Sequence, residues 1–141
     1  MRFIKLIEQV QLSDLINIAN IDAASKKNET PVYSDLVMGG YGNLFAFDGD
    51  SRQIPALRNL YGDNATVLNH FLADGDPHTA YICREYTGMI SLLKPTQSAL
   101  AFFNNFSLFG KVLREERIQT TRLDDIDEIS DLHFVKLDVQ G

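Results

Sequence analysis

Cysteine is nearly missing from this chain, and the shortage narrows its chemistry. With Cys83 alone among 141 residues, neither an internal disulfide nor a cysteine-based metal cluster can form, which fits a reducing, cytoplasmic setting. The N-x-S/T matches at Asn28, Asn64 and Asn105 are then chance. Basic residues are also short: 13 Lys and Arg face 19 Asp and Glu, for a formal net charge of -6. They are scattered and do not cluster with aromatics, which argues against a nucleic-acid partner held by phosphate neutralisation. No stretch stays apolar for the ~20 residues of a membrane span. Lys5, Glu8 and Gln9 interrupt MRFIKLIEQVQL, so the N-terminus lacks the continuous apolar region of a signal peptide. Repeats, low-complexity tracts and linkers are absent, and the four prolines are spread out. The expectation is one domain over residues 1–141.

What is present is an alternation of strand-like and helix-like segments. Phe3, Leu6, Ile7 and Val10 fall at helical spacing, and LINIANI (Leu15 to Ile21) reads as a buried strand. TPVYSDLVMGG reads as a short helix, started at Thr30-Pro31 and stopped at Gly39-Gly40. NLFAFD, ending at Asp48, is a second strand, and the Ile54, Leu57 and Leu60 face makes a helix beginning near Pro55. ATVLNHFL is a third strand, followed by an ADGD turn. HTAYIC and MISLL form either a hairpin or two separate strands, Thr96 to Phe106 has helical composition, and RIQTTRL and HFVKLD close the set as strands. Strand and helix alternating at this spacing predict an α/β fold: a Rossmann-like, doubly wound, mostly parallel sheet flanked by helices. In such sheets ligands lie beyond the carboxyl ends of the strands. The residues to weigh are therefore Asp22 to Ser25, Asp48, Ala73 to Asp76 and Asp138 to Gly141.

Each candidate has two readings. GGYGNLFAFDGD holds the ingredients of a dinucleotide fingerprint in the wrong order, because its glycines precede the strand. They read better as a helix cap and tight turn. Asp48 is placed to accept hydrogen bonds from both hydroxyls of a ribose, or merely to cap the next helix. Asp138 is placed to orient or deprotonate a substrate hydroxyl, or to bind backbone amides in a turn. The acidic run LDDIDEISD matches no metal-binding loop and reads as a solvated turn. His70 and His133 sit on strand-like runs as core or edge residues, and His78 has no evident partner. No nucleophile–base constellation or metal site emerges.

TTRLDDIDEISDLHFVKLDVQG resembles the segment of FkbM-type methyltransferases in which T-x-R-L-D-D-I precedes a strand reading K-I/L-D-V-x-G. LFAFDGD resembles that family's F-E-P-D, and GMISLLKPT its G-x-x-S-L-L-x-P. The likeness runs from about Leu15 onward. It implies S-adenosylmethionine as cofactor and methyl transfer to a hydroxyl oxygen of a small-molecule or glycan acceptor, sugar-like or polyketide-like. It also implies cofactor contacts at Asn20, Asp22, Ala23, Asp48 and Asp74, with Asp138 near the transferring methyl. Thr121, Leu123, Asp124, Lys136 and Gly141 match structural positions. The family's first loop is close to D-I-G-A-N-P, and here it reads NIDAAS, with Asn20 for the acid and Asp22 for the glycine. Asp22 would add bulk and negative charge beside the methionine carboxylate. Family members continue through a helix and further strands beyond K-L-D-V-x-G, so the resemblance covers a front portion ending after the fourth core strand. A catalytically inactive binding or self-association module is the alternative. The apolar strand HFVKLD, left at an edge, would suit a homodimer.

Overall fold

The computed structural model describes residues 14–24, 30–83, 89–102, 106–129 and 131–139. The N-terminal helix expected over Phe3 to Val10 lies outside the described residues. In chain order the elements are β1 (Ile16–Ile21), α1 (Ser34–Met38), β2 (Gly42–Phe47), α2 (Ile54–Tyr61), β3 (Ala65–Leu68), β4 (Phe71–Leu72), β5 (Pro77–Ile82), β6 (Ile90–Ser91), α3 (Gln97–Phe102), α4 (Phe106–Phe109), β7 (Arg114–Thr121) and β8 (Phe134–Leu137). Short 3-10 turns lie at Gly62–Asn64 and Leu123–Asp125. The chain divides into two compact units, one running to Phe71 and resuming at Leu123–Asp138, the other comprising Leu72–Arg122 and the residues from Val139.

The first unit is a parallel sheet in the order β3-β2-β1-β8. β1 pairs with β2 from Ile16↔Gly42 to Ile21↔Phe47, and with β8 from Ile18↔Phe134 to Ile21↔Leu137. β2 pairs with β3 from Leu44↔Ala65 to Phe47↔Leu68. The period of two sends Ile16, Ile18 and Asn20 to one face and Asn17, Ala19 and Ile21 to the other. On the first face Ile18, Leu44 and Ala46 pack with Tyr33, Val37, Leu57 and Tyr61 of the helical segments. Ala19, Ile21, Phe45 and Phe47, on the opposite face, are buried as well. A sheet covered on both sides explains why these strands read as apolar runs rather than alternating ones.

Two element boundaries differ from the sequence expectation. α1 starts at Ser34 instead of beside Pro31, because the Pro31 carbonyl is used in a tight turn that accepts the Ser34 N–H. The end falls at the glycines as expected: Gly40 takes φ +77, and the Tyr41 N–H returns to the Leu36 carbonyl. ATVLNHFL is not one strand. β3 ends at Leu68, and the Asn69 amide donates to the Asp48 and Gly49 carbonyls at 2.7 and 3.2 Å, turning the chain before β4. The acidic run beyond the second 3-10 turn is anchored by buried Ile126.

The second unit carries an antiparallel sheet in the order β4-β7-β5-β6. HTAYIC and MISLL resolve as a hairpin, with Tyr81↔Ser91 and Ile82↔Ile90 paired. β7 starts at Arg114, ahead of the expected RIQTTRL, and runs antiparallel to β5 from Pro77↔Gln119 to Ile82↔Arg114. The sequence reading contained no such sheet. Thr96 to Phe106 gives two short helices, α3 and α4. Among the described residues no helix is long and apolar enough to cross a membrane.

Leu57 faces the cluster at 1% exposure, whereas Leu60 on the same helix is 52% exposed. Leu57→Ala should lower unfolding free energy by about 2–5 kcal/mol, and Leu60→Ala by less than about 1 kcal/mol. Urea titration of both variants checks this; equal losses would mean that α2 packs by a different face.

Candidate functional site

The strand order reverses at β1: β2 and β3 lie to one side of it and β8 to the other. Neighbouring parallel strands diverge into loops at such a point, leaving a crevice beyond their carboxyl ends. The register determines what reaches it. Ile21 is level with both Phe47 and Leu137, so the next residues, Asp22, Asp48 and Asp138, leave three adjacent strands together.

Asp22 is the one described non-glycine residue with positive φ, at +59. The left-handed region favours glycine, and aspartate is among the few other residues that enter it. The conformation is held from the next residue, since Ala23 is buried and its N–H donates to the Phe47 carbonyl at 2.8 Å. The loop is thereby tied across to the end of β2.

Asp48 is 4% exposed. Its Oδ1 accepts the Asp50 N–H at 2.8 Å, while Oδ2 is buried without a hydrogen-bond partner. Burial pushes its carboxyl up to about 6, the Asp22 and Asp50 charges add to the rise, and the Asp50 and Ala24 amides oppose it. Arg52 grips Asp50 through two nitrogens, with a shortest contact of 2.7 Å, and holds that carboxyl below the usual range.

Asn20 lies on the helix-covered face at 3% exposure, level with Ala46. Its Nδ2 donates to Tyr33 Oη at 2.6 Å, Tyr33 Oη is 3.3 Å from Tyr61 Oη, and Asn20 Oδ1 has no partner. Desolvation raises the Tyr33 phenol well above its ordinary value, so Tyr33 stays neutral. Ordinarily an unpaired buried acceptor costs about 1–3 kcal/mol. Asn20 Oδ1 and Asp48 Oδ2 are two such acceptors, and the period of two puts their side chains on the same face of the sheet.

Asp138 is half-exposed. Its N–H donates to the Ile21 carbonyl at 3.4 Å, and its Oδ2 is 3.5 Å from Lys136 Nζ. His133 is an edge residue: its N–H donates to the Asn17 carbonyl, and its Nδ1 accepts the Asn17 N–H at 3.0 Å. The structure thus brings Asn20, Asp22, Ala23, Asp48 and Asp138 to the carboxyl edge of one sheet. Asp74 belongs to the second unit, where its Oδ1 accepts the Asp76 N–H. The His78 ring is 2.8 Å from that oxygen, so His78 has a partner that its sequence context did not reveal. Among the described residues no group of three or more His, Cys, Asp or Glu is placed to hold a metal ion.

Sequence reasoning did not find Tyr33, Tyr61, Asn69 or Arg52. The tyrosines sit among apolar residues as core would, and only the buried amide of Asn20 gives their hydroxyls a task. Chemically, the edge offers hydrogen-bond acceptors and negative charge. Among the described residues here, the bases Arg52 and Lys136 are taken up by Asp50 and Asp138. Such a site suits hydroxyl-rich or cationic ligands and is unfavourable to phosphate. No family model matches the chain, and neither the curated proteins nor the solved structures provide a match.

The raised Asp48 carboxyl has a consequence for stability. Between pH 4 and 6 the folded protein retains a proton that the unfolded chain, with an ordinary value of 3.8, has released. Stability therefore falls as pH rises through that window, by on the order of 3 kcal/mol for a shift of this size. Asp48→Asn should remove this step from a plot of urea midpoint against pH. Parallel profiles for the two proteins would show that Asp48 is not the group responsible.

Proposed function

We propose that the first unit is the S-adenosylmethionine-binding part of a methyltransferase acting on a hydroxyl of a sugar-like or polyketide-like acceptor. The observation that carries this is Asp48: a buried carboxylate at the carboxyl end of β2, one oxygen unpartnered, beside a loop whose Asp22 takes the backbone conformation of a glycine. That conformation supports aligning NIDAAS with the glycine-containing first loop of the FkbM-type family, and the reversal of strand order at β1 supports a ligand crevice there.

The cofactor would supply a methyl group on a sulfonium. On this reading Asp48 accepts hydrogen bonds from the ribose hydroxyls, and the charge of the carboxylate makes those bonds stronger than neutral ones. Asn20, Asp22 and Ala23 line the cofactor's amino-acid end. Asp138 would orient the acceptor hydroxyl and could take up its proton. Positioning supplies most of the rate in methyl transfer of this kind. The reading rests on the first unit alone.

Asp48→Ala should weaken binding of S-adenosylhomocysteine at least about tenfold, since bonds to a charged acceptor are worth roughly 1.5–3 kcal/mol each. Calorimetric titration measures it, and unchanged affinity in a folded variant would remove the ribose assignment.

The exposed β8 strand favours self-association as a further property. Phe134, Val135 and Leu137 are exposed, and among the described residues β8 pairs only with β1. Antiparallel pairing with a second copy about a twofold axis through Val135 would set Val135 opposite its own copy and Phe134 opposite Lys136. The Asp138 N–H points to the Ile21 carbonyl of β1, so by alternation in the register Ile18↔Phe134 to Ile21↔Leu137 the amides of Phe134 and Lys136 also point to β1, and Val135 and Leu137 direct theirs outward. Val135→Pro should abolish a dimer seen by sedimentation at micromolar concentration, whereas Lys136→Pro should break the β1 pairing and unfold the unit. A monomeric parent protein would rule this association out.

A further inference from the structure

β8 is short and meets only β1 among the described residues, so the bonds at its amino end weigh heavily on its seating. The regular ladder begins at Ile18↔Phe134, and the rung before it is not a pair of main-chain bonds. The His133 N–H donates to the Asn17 carbonyl at 2.9 Å, but the Asn17 N–H goes to the His133 ring, with Nδ1 3.0 Å away. Asn17 is 9% exposed, so water replaces that acceptor poorly. Its side chain completes a clamp: Oδ1 accepts Asn43 Nδ2 from β2 at 3.0 Å, and Nδ2 donates to the Asp131 carbonyl at 2.9 Å. The segment entering β8 is thus tied to β1 and β2 through one residue.

We propose that His133 is a proton-operated latch on the amino end of β8, closed when its ring is neutral and open when Nδ1 takes up a proton. A neutral imidazole accepts at one nitrogen and donates at the other, whereas an imidazolium donates at both. A proton on Nδ1 would set one N–H against the Asn17 N–H, so the ring turns away and the rung is lost. His133 is exposed, so solvent delivers the proton directly, and histidine ordinarily changes charge between about pH 5 and 8. β1 and β2 carry no ionisable side chain. The charged groups on the adjoining described segments are Asp14 ahead of β1, Asp131 ahead of β8, and Lys136, which lies 3.5 Å from Asp138. Because β8 carries Asp138 at its far end, opening the latch loosens the strand that positions that carboxylate. The latch requires no cofactor and goes beyond the methyltransferase reading.

Nitrogen-15 NMR of the full chain at about pH 8 and about pH 5, on the parent and two variants, tests the latch. Asparagine places its Oδ1 where histidine has Nδ1, so His133→Asn keeps an acceptor that does not titrate. His133→Gln reaches past that position and removes it. At the higher pH the parent ring should carry its proton on Nε2, and the Asn17 amide should be protected from hydrogen exchange. At the lower pH protection at Asn17, corrected for the intrinsic rate, should fall about five- to tenfold, as for loss of one hydrogen bond. Ile16, whose N–H is held by the Tyr41 carbonyl at 2.9 Å, should keep its protection. His133→Asn should hold Asn17 protected at both pH values, and His133→Gln should lower its protection at both. A ring proton on Nδ1 at the higher pH overturns the proposal, as does a fall at Asn17 that persists in His133→Asn or is absent from the parent. The tautomer and the Asn17 exchange are read on the parent protein, so they decide the matter even where a variant fails to fold.

Discussion

The in-register pairing of β1 with strands on both sides is the constraint on which the candidate site depends. Because Ile21 is level with Phe47 on one flank and Leu137 on the other, three acidic residues emerge side by side from three strands that are far apart in sequence. A slip of one residue in either pairing would turn the side chains of β2 or β8 to the opposite face. Between β1 and β2 the apolar content of both faces resists such a slip: Ile18, Leu44 and Ala46 need the helices on one side, and Ala19, Phe45 and Phe47 are buried on the other. Hydrophobic burial thus fixes a polar geometry.

That geometry is unfavourable for stability. Placing Asp48 among apolar neighbours with one oxygen unpaired, beside the charge of Asp22, raises its carboxyl toward neutral pH. The left-handed backbone at Asp22 adds strain. Polar groups strained and desolvated together at the carboxyl edge of a parallel sheet are the usual mark of a binding site. The buried Asn20–Tyr33–Tyr61 chain differs in kind, because Asn20 donates to Tyr33 Oη even though its own Oδ1 has no partner.

In the parallel half β1 and β2 were legible in the sequence because they are buried on both faces and separated by a helix-forming segment. LINIANI and NLFAFD could be read from composition alone, and the carboxyl-end rule pointed to Asp22, Asp48 and Asp138. In the antiparallel half the strands HTAYIC, MISLL and RIQTTRL were legible, but their assembly into one sheet was not. β7 carries mostly exposed, charged residues, REERIQTT, so it lacks the alternation that marks a half-buried strand, and its partner β5 lies more than 30 residues away. The break in ATVLNHFL depended on one side-chain amide, Asn69, finding two backbone carbonyls. The Asp74–His78 contact likewise depends on the turn at Gly75, whose φ is +94. Periodicity carries no information about such contacts.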